Sequence, residues 1–398
     1  MKIMKNFFFY SLIAVSALFV SCKEDDPTPT PIEETELTVS ANITENTTWE
    51  TGKIYILGAR IAVLSGVTLT IEPGVIVKGQ AGSGANATAL IIARGGKLMA
   101  EGTAEKPIIF TSVADEIEPG QIASPNLDPT LNGLWGGLIV LGNAPISADA
   151  ESVQIEGIPA SDQNGLYGGT KADDNSGVFK YISIRHGGAN IGEGNEINGL
   201  TLGGVGSATV IENIEIVANQ DDGIEWFGGS VSVKNAVIWN TGDDAVDTDQ
   251  AWSGTLDNFI VINPGDEALE LDGPEGSLDG YHTIKNGSVQ AIDAEGLADL
   301  DNSSDDAKKF SNSKLTLTNV YFFDITLGQS FDDNPSTLTL SNIQATLPSD
   351  TLSIADFFKK GSDAQVTLVA KGANTVGADA SKFASWSWTA VAGALADF

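Results

Sequence analysis

The chain has 398 residues and a formal net charge of −32, from 53 acidic against 21 basic side chains. So negative a surface excludes a nucleic-acid binder, repels anionic lipid, and favours cations or basic partners. A single cysteine, Cys22, excludes any disulfide within the chain and any cysteine-based zinc site.

In chain order, Lys2 and Lys5 precede an apolar run over residues 7–20, interrupted only by Ser11 and Ser16. The run is shorter than a comfortable bilayer span and has the form of a signal-peptide core. It ends in Phe19-Val20-Ser21-Cys22, which resembles the lipobox of bacterial lipoproteins, where the cysteine is lipidated and becomes the mature N-terminus. That resemblance implies a signal peptide over residues 1–22 and a membrane anchor at Cys22. A single anchoring helix is the competing reading. Residues 23–36 follow as a tether, with Lys23-Glu24-Asp25-Asp26 and then Pro27, Pro29 and Pro31 in alternation, an extended spacer. The acidic run resembles the surface-export signal of Bacteroidota lipoproteins, which implies the outer leaflet of the outer membrane. Read as a plain solvated tether, it leaves the periplasmic face open.

The next segment, 37–373, is periodic. A phrase of aliphatic residue, any residue and Asn recurs at Asn213, Asn235, Asn258, Asn286, Asn319 and Asn342, with a basic spacing of 22–23 residues and two longer gaps. Short β-rich pieces lie between Gly, Asn and Asp, and no convincing helical period appears between 40 and 345. Short strands at this period predict an all-β fold, a right-handed parallel β-helix solenoid with loop insertions and a C-terminal cap. The repeated Asn suits a turn in left-handed backbone, and stacked amides predict a hydrogen-bonded ladder. Residues 374–398 are the predicted cap, where Asp379 starts a short helix and Trp386 and Trp388 plug the last coil.

Three phrases carry a family resemblance: Leu69-Thr-Ile-Glu-Pro-Gly-Val-Ile-Val-Lys-Gly79, Gly133-Leu-Trp-Gly-Gly-Leu-Ile-Val-Leu-Gly142 and Val178-Phe-Lys-Tyr-Ile-Ser-Ile-Arg-His-Gly-Gly188. With Ala93-Arg-Gly-Gly-Lys-Leu-Met-Ala-Glu-Gly102, they look like the right-handed β-helix lipoproteins of Bacteroidota, with a pectin-lyase-like fold and a leptospiral outer-membrane lipoprotein as a relative. The resemblance implies fold and location, and a possible partner in a TonB-dependent outer-membrane receptor.

Counting forward from each repeat Asn aligns the acids. Asp221, Asp243 and Asp266 stand at plus eight; Asp222, Asp244 and Glu267 at plus nine; Glu225, Asp247 and Glu270 at plus twelve; Asp249 and Asp272 at plus fourteen. In stacked coils such residues form columns with rungs about 4.8 Å apart. Unit charges at that distance repel by about 1 kcal/mol in bulk water and more beside protein. Three readings stay open: a solvated acidic face, divalent-cation sites with calcium foremost, or catalytic carboxylates. Asp221-Asp222 and Asp243-Asp244 resemble the paired acids of polygalacturonases, but the Gly-His-Gly and Arg-x-Lys of those enzymes are absent. For a lyase, Arg185 is the candidate base by elimination, so catalytic residues stay unassigned.

Trp226, Trp239 and Trp252 fall in the same coils and are candidates for stacking on sugar rings; core filling is their commoner role. The insertions 112–132 and 143–177 are candidate functional loops, with Tyr167 placed to roof a groove. The expected function is a non-enzymatic surface module that binds a glycan, a cation or a transporter. A polysaccharide lyase or glycoside hydrolase, and a structural or adhesive envelope protein, are the alternatives.

Overall fold

Backbone hydrogen bonding and a few left-handed residues decide where each coil turns. The computed structural model describes residues 35–191, 196–300, 314–331 and 338–398. The assigned signal peptide, Cys22 and nearly all of the tether lie outside the described residues.

From residue 177 onward, coils open with one long strand. These are Gly177–Arg185, Val210–Val217, Val233–Trp239, Thr255–Ile262, His282–Gln290, Leu315–Phe323 and Leu338–Ala345. Each bends at one residue of positive φ, between 51° and 64°: Tyr181, Asn213, Asn235, Asn258, Asn286, Asn319 and Asn342. Asn tolerates this conformation because its short polar side chain bonds locally. The bend residue is skipped in the pairing, so one strand serves two faces of the coil. In earlier coils a turn does the same work, as at Pro73-Gly74 with Gly74 at φ 80°, and it separates Thr68–Ile71 from Ile76–Gly79. Gly177–Arg185 joins the two regimes, pairing with Lys97–Glu101 through its first half and Ile108–Ser112 through its second.

The predicted amide ladder is present. Asn235 donates to Asn213 at 2.8 Å, Asn258 to Asn235 at 2.8 Å, Asn319 to Asn286 at 3.0 Å and Asn342 to Asn319 at 3.1 Å. It breaks between Asn258 and Asn286. There Asn286 donates to Asp257 at 2.7 Å, and Asn258 accepts the backbone N–H of Asp379 at 2.6 Å.

The second sheet takes the remaining face. Its strands are Arg60–Val63, Ala89–Ile92, Leu138–Leu141, Leu200–Gly203, Ile224–Phe227, Val246–Asp249 and Leu269–Leu271, all parallel. Isolated bridges at Asp299, Phe331 and Phe358 extend it. The fold is therefore a right-handed parallel β-helix, as the periodicity predicted. Its core is the stack of inward side chains, among them Phe110, Phe179, Trp226, Phe259 and Phe322, each 0 % exposed. A stack of this kind buries its apolar faces only because coils lie on coils.

The C-terminal segment departs from expectation. Asp379 does cap a short helix, accepting from the Ser381 N–H at 3.1 Å. Trp386 and Trp388, however, do not plug the last coil. The chain runs back along the outside of the long strands, where Trp386 packs with Val237 and Ile260, and Trp388 with Val217 and Ala218. Outward apolar residues on those strands supply a better surface than the last coil, whose strand Val366–Leu368 is largely exposed.

Candidate functional site: an acidic column on the second sheet

Alternation along the second sheet sends Ile61, Leu90, Leu138, Leu200, Ile224, Val246 and Leu269 into the core. Their neighbours face outward as one column in register: Ala62, Ile91, Ile139, Thr201, Glu225, Asp247, Glu270 and Asp299. Up to Ile139 the column is apolar, and the 143–177 insertion covers it with Ile146, Ile155, Ile158 and Tyr167. Beyond Thr201 every member is acidic.

Three further acidic lines run beside it. Asp222, Asp244 and Glu267 precede the strands; Asp222 accepts the Asp244 N–H at 3.0 Å, and Asp244 accepts the Glu267 N–H at 2.6 Å. These carboxylates thus tie one coil to the next. Asp221, Asp243 and Asp266 form a partly exposed outer line. Asp249 continues the line of Phe227, and Asp272 is the strongest charged influence on it.

Carboxylate oxygens of Asp222, Glu225 and Asp247 all lie within 4.8 Å of one another, and so do those of Asp221, Asp222 and Asp243. Oxygen ligands around one calcium ion, each 2.3–2.6 Å from it, are separated by at most about 5 Å. Both groups meet that limit. No ion pair joins Asp221, Asp222, Glu225, Asp243, Asp244 or Asp247 to a lysine or arginine among the described residues.

Burial, then mutual repulsion, pushes these acids toward the neutral form. Asp222, Glu225, Asp247 and Asp249 are raised well above the usual carboxylate range, with burial the largest cause in each. Asp244 is raised to about 12 by burial and by its hydrogen bond with Glu270. At the rim, burial and neighbouring acids raise Asp221 to about 7 and Glu267 to about 8. Such a cluster is stable only when protons or cations neutralise it.

Sequence reasoning missed three contributors. Asn198 donates its amide N–H to Glu225 Oε2 at the head of the cluster. Its own carbonyl oxygen has no hydrogen-bond partner, although the residue is only 1 % exposed. Asp247, 8 % exposed, meets Glu225 carboxyl to carboxyl. Glu156, from the insertion, is the largest charged influence on Asp221, and Glu196 acts on both. The signal for Asn198 was its phrase: Asn198-Gly199-Leu200 parallels Asp222-Gly223-Ile224, and Gly199 N–H bonds to the Asp222 carbonyl. Counting from repeat asparagines failed there because Tyr181 holds the corner of that coil.

The aromatic candidates are corrected. Trp226 and Trp252 stack on each other inside the core, with centroids 4.6 Å apart and exposures of 0 % and 1 %. No sugar ring reaches them: Trp226 points inward from its strand, and Trp252, in the turn that follows Val246–Asp249, is held inside by its indole N–H on the Val231 carbonyl at 2.8 Å. Tyr167 is also buried; it packs on Phe227, and its hydroxyl bonds Gln250 at 2.9 Å. It seals the insertion onto the sheet instead of roofing an open groove. Trp239 lies on the long strands against Trp388, on a different face from the acids.

Arg185 is excluded as a base beside the column. It is fully buried, donates to Ser183 at 2.7 Å, pairs with Glu215 at 3.6 Å and lies 5.0 Å from the Trp388 ring. Thr389 completes this network through two hydrogen bonds to Glu215. His186 bonds the Leu131 carbonyl, and His282 packs on Trp252. Neither histidine contacts the acids.

Stacked parallel coils with one outward face half covered and half acidic define the class, a β-helix scaffold carrying a polar site on its flank. The chain belongs to the pectate-lyase like beta helix domain family, whose model matches residues 41–391. Comparison with curated proteins finds none that matches.

Proposed function

We propose that the protein is a non-enzymatic binding module, whose acidic column holds divalent cations, calcium foremost, and presents them on the flank of the β-helix. The observation that carries this reading is the convergence of buried carboxylates that have no basic partner among the described residues. Calcium accepts many oxygen ligands in flexible geometry and suits such a cluster, whereas zinc prefers nitrogen and sulfur. Binding is favoured over hydrolysis or elimination because both histidines and Arg185 are engaged elsewhere.

The same proposal places the module on the cell envelope. The signal core and Cys22 support an outer-membrane lipoprotein of the Bacteroidota type, facing outward. Among the described residues no helix is long and apolar enough to cross a membrane. A glycan or a TonB-dependent receptor is the proposed partner, met through the cation-loaded flank and the insertions.

Calorimetric titration of chelator-stripped protein with calcium tests the cation reading. Micromolar binding with a rise in Tm, lost in Asp222→Asn combined with Asp244→Asn, is expected. Absence of both heat and a Tm shift overturns it and returns the acids to a protonated or solvated face.

A further inference from the structure

Resting on the cation reading above, we infer that the acidic column holds two calcium-class ions at distinct positions, bridged by Asp222, with Asn198 as a neutral ligand of the inner one.

The two carboxylate groups differ in kind. Asp222, Glu225 and Asp247 are all buried, while Asp221 and Asp243 are partly open to solvent and only Asp222 of their group is buried. One ion cannot satisfy both sets. Asp222 belongs to each, and a carboxylate has two oxygens with which to bridge.

Asn198 supplies an independent observation. Its amide is held at the cluster by the bond to Glu225, yet its carbonyl oxygen is buried and unpaired. Buried acceptors are almost always satisfied, and a lone one asks for an explanation such as an ion. Asparagine carbonyls are ordinary calcium ligands. Asn198 also stands one coil above Asp222 at the equivalent position, so a neutral ligand ends the line of charges there. The inner position is offered oxygen from three carboxylates, with the Asn198 amide held beside them by its bond to Glu225. Magnesium, which keeps several waters in strict octahedral geometry, fits this dry position poorly. The outer position has three carboxylates and an open side toward Glu156 and Glu196, so its ion exchanges faster.

The test uses full-length protein in detergent, stripped with chelator and titrated with calcium by calorimetry, with terbium luminescence excited through the tryptophans as a second readout. Two binding events per chain are expected. Asn198→Ala weakens the tighter event tenfold or more and spares the other. Asn198→Asp, which keeps an oxygen ligand, restores it. Asp243→Asn weakens only the looser event, and Asp222→Asn weakens both. Should Asn198→Ala fail to fold, Asn198→Asp and Asp243→Asn still separate the two events. A single event overturns the two-ion arrangement, and two events unchanged by Asn198→Ala in folded protein overturn Asn198 as a ligand; either result leaves cation binding intact. No event with either ion overturns both.

Discussion

Ile91 and Ile139 occupy the same outward column as Glu225 and Asp247, with only the Thr201 rung of the same parallel sheet between the two pairs. Backbone geometry is shared, and all four side chains are buried. The apolar pair is buried by the insertion, whose Ile155 and Ile158 pack on it. The acidic pair is buried among Asn198 and further acids. In a solenoid the coil fixes where a side chain points, while its neighbours decide what environment it finds there. One half of the column is thus a core extension, and the other half is a charge cluster in need of neutralisation.

Charge moved to the covered half is the most disruptive change. Ile139→Glu places an unpaired carboxylate beneath the insertion and is expected to cost about 3–5 kcal/mol in urea denaturation, or to prevent folding. A change below about 1 kcal/mol would show that the insertion is no seal. Trp226→Ala is expected to be nearly as damaging, about 3–5 kcal/mol, because it opens a cavity beside Trp252. Since the ring faces the core, glycan affinity of the folded variant should change little.

Asn258→Ala acts at the corner of the coil. It removes a left-handed asparagine, a rung of the amide ladder and the acceptor for Asp379, so a loss of about 2 kcal/mol is expected. Proteolysis within 374–398 should rise with it, which limited digestion would read.

The acidic half responds to pH in a definite direction. Asp221, from 3.8, and Glu156, from 4.5, are raised to about 7, and Glu267 is raised from 4.5 to about 8. The folded chain therefore binds these protons more tightly than the unfolded chain. The stability they contribute is complete below pH 4 and is lost as pH rises through 7 to 8. Cation-free protein should melt higher at pH 5 than at pH 8, and saturating calcium should remove that difference. A melting profile rising with pH in chelator would contradict the buried cluster. The smallest effect is expected at Lys285, whose half-exposed pairing with Asp257 at 3.4 Å should be worth under about 1 kcal/mol.

Much of this architecture was legible in the sequence because it is local and repeated. Coil period, corner asparagines and aligned acids follow from spacing alone, since a parallel stack puts equivalent residues one above another. Lines of the ladder and of the carboxylates stand where counting placed them. Inward or outward orientation was not legible for Trp226 and Trp252, because glycine and turn residues between asparagine and strand shift the alternation. Nor was Asn198, whose coil turns at Tyr181 and carries a long insertion before it.

What the tertiary structure alone decided concerns parts of the chain distant in sequence. Thr389 reaches Glu215, Asp379 reaches Asn258, and the insertion brings Glu156 to Asp221. No period encodes those meetings. They arise because exposed apolar strips on a regular stack attract whatever nonrepeating segment can cover them, and the polar groups on that segment then settle against the partners left beneath. Sequence spacing built the acidic column; the fold supplied the burial that makes its charge a chemical demand.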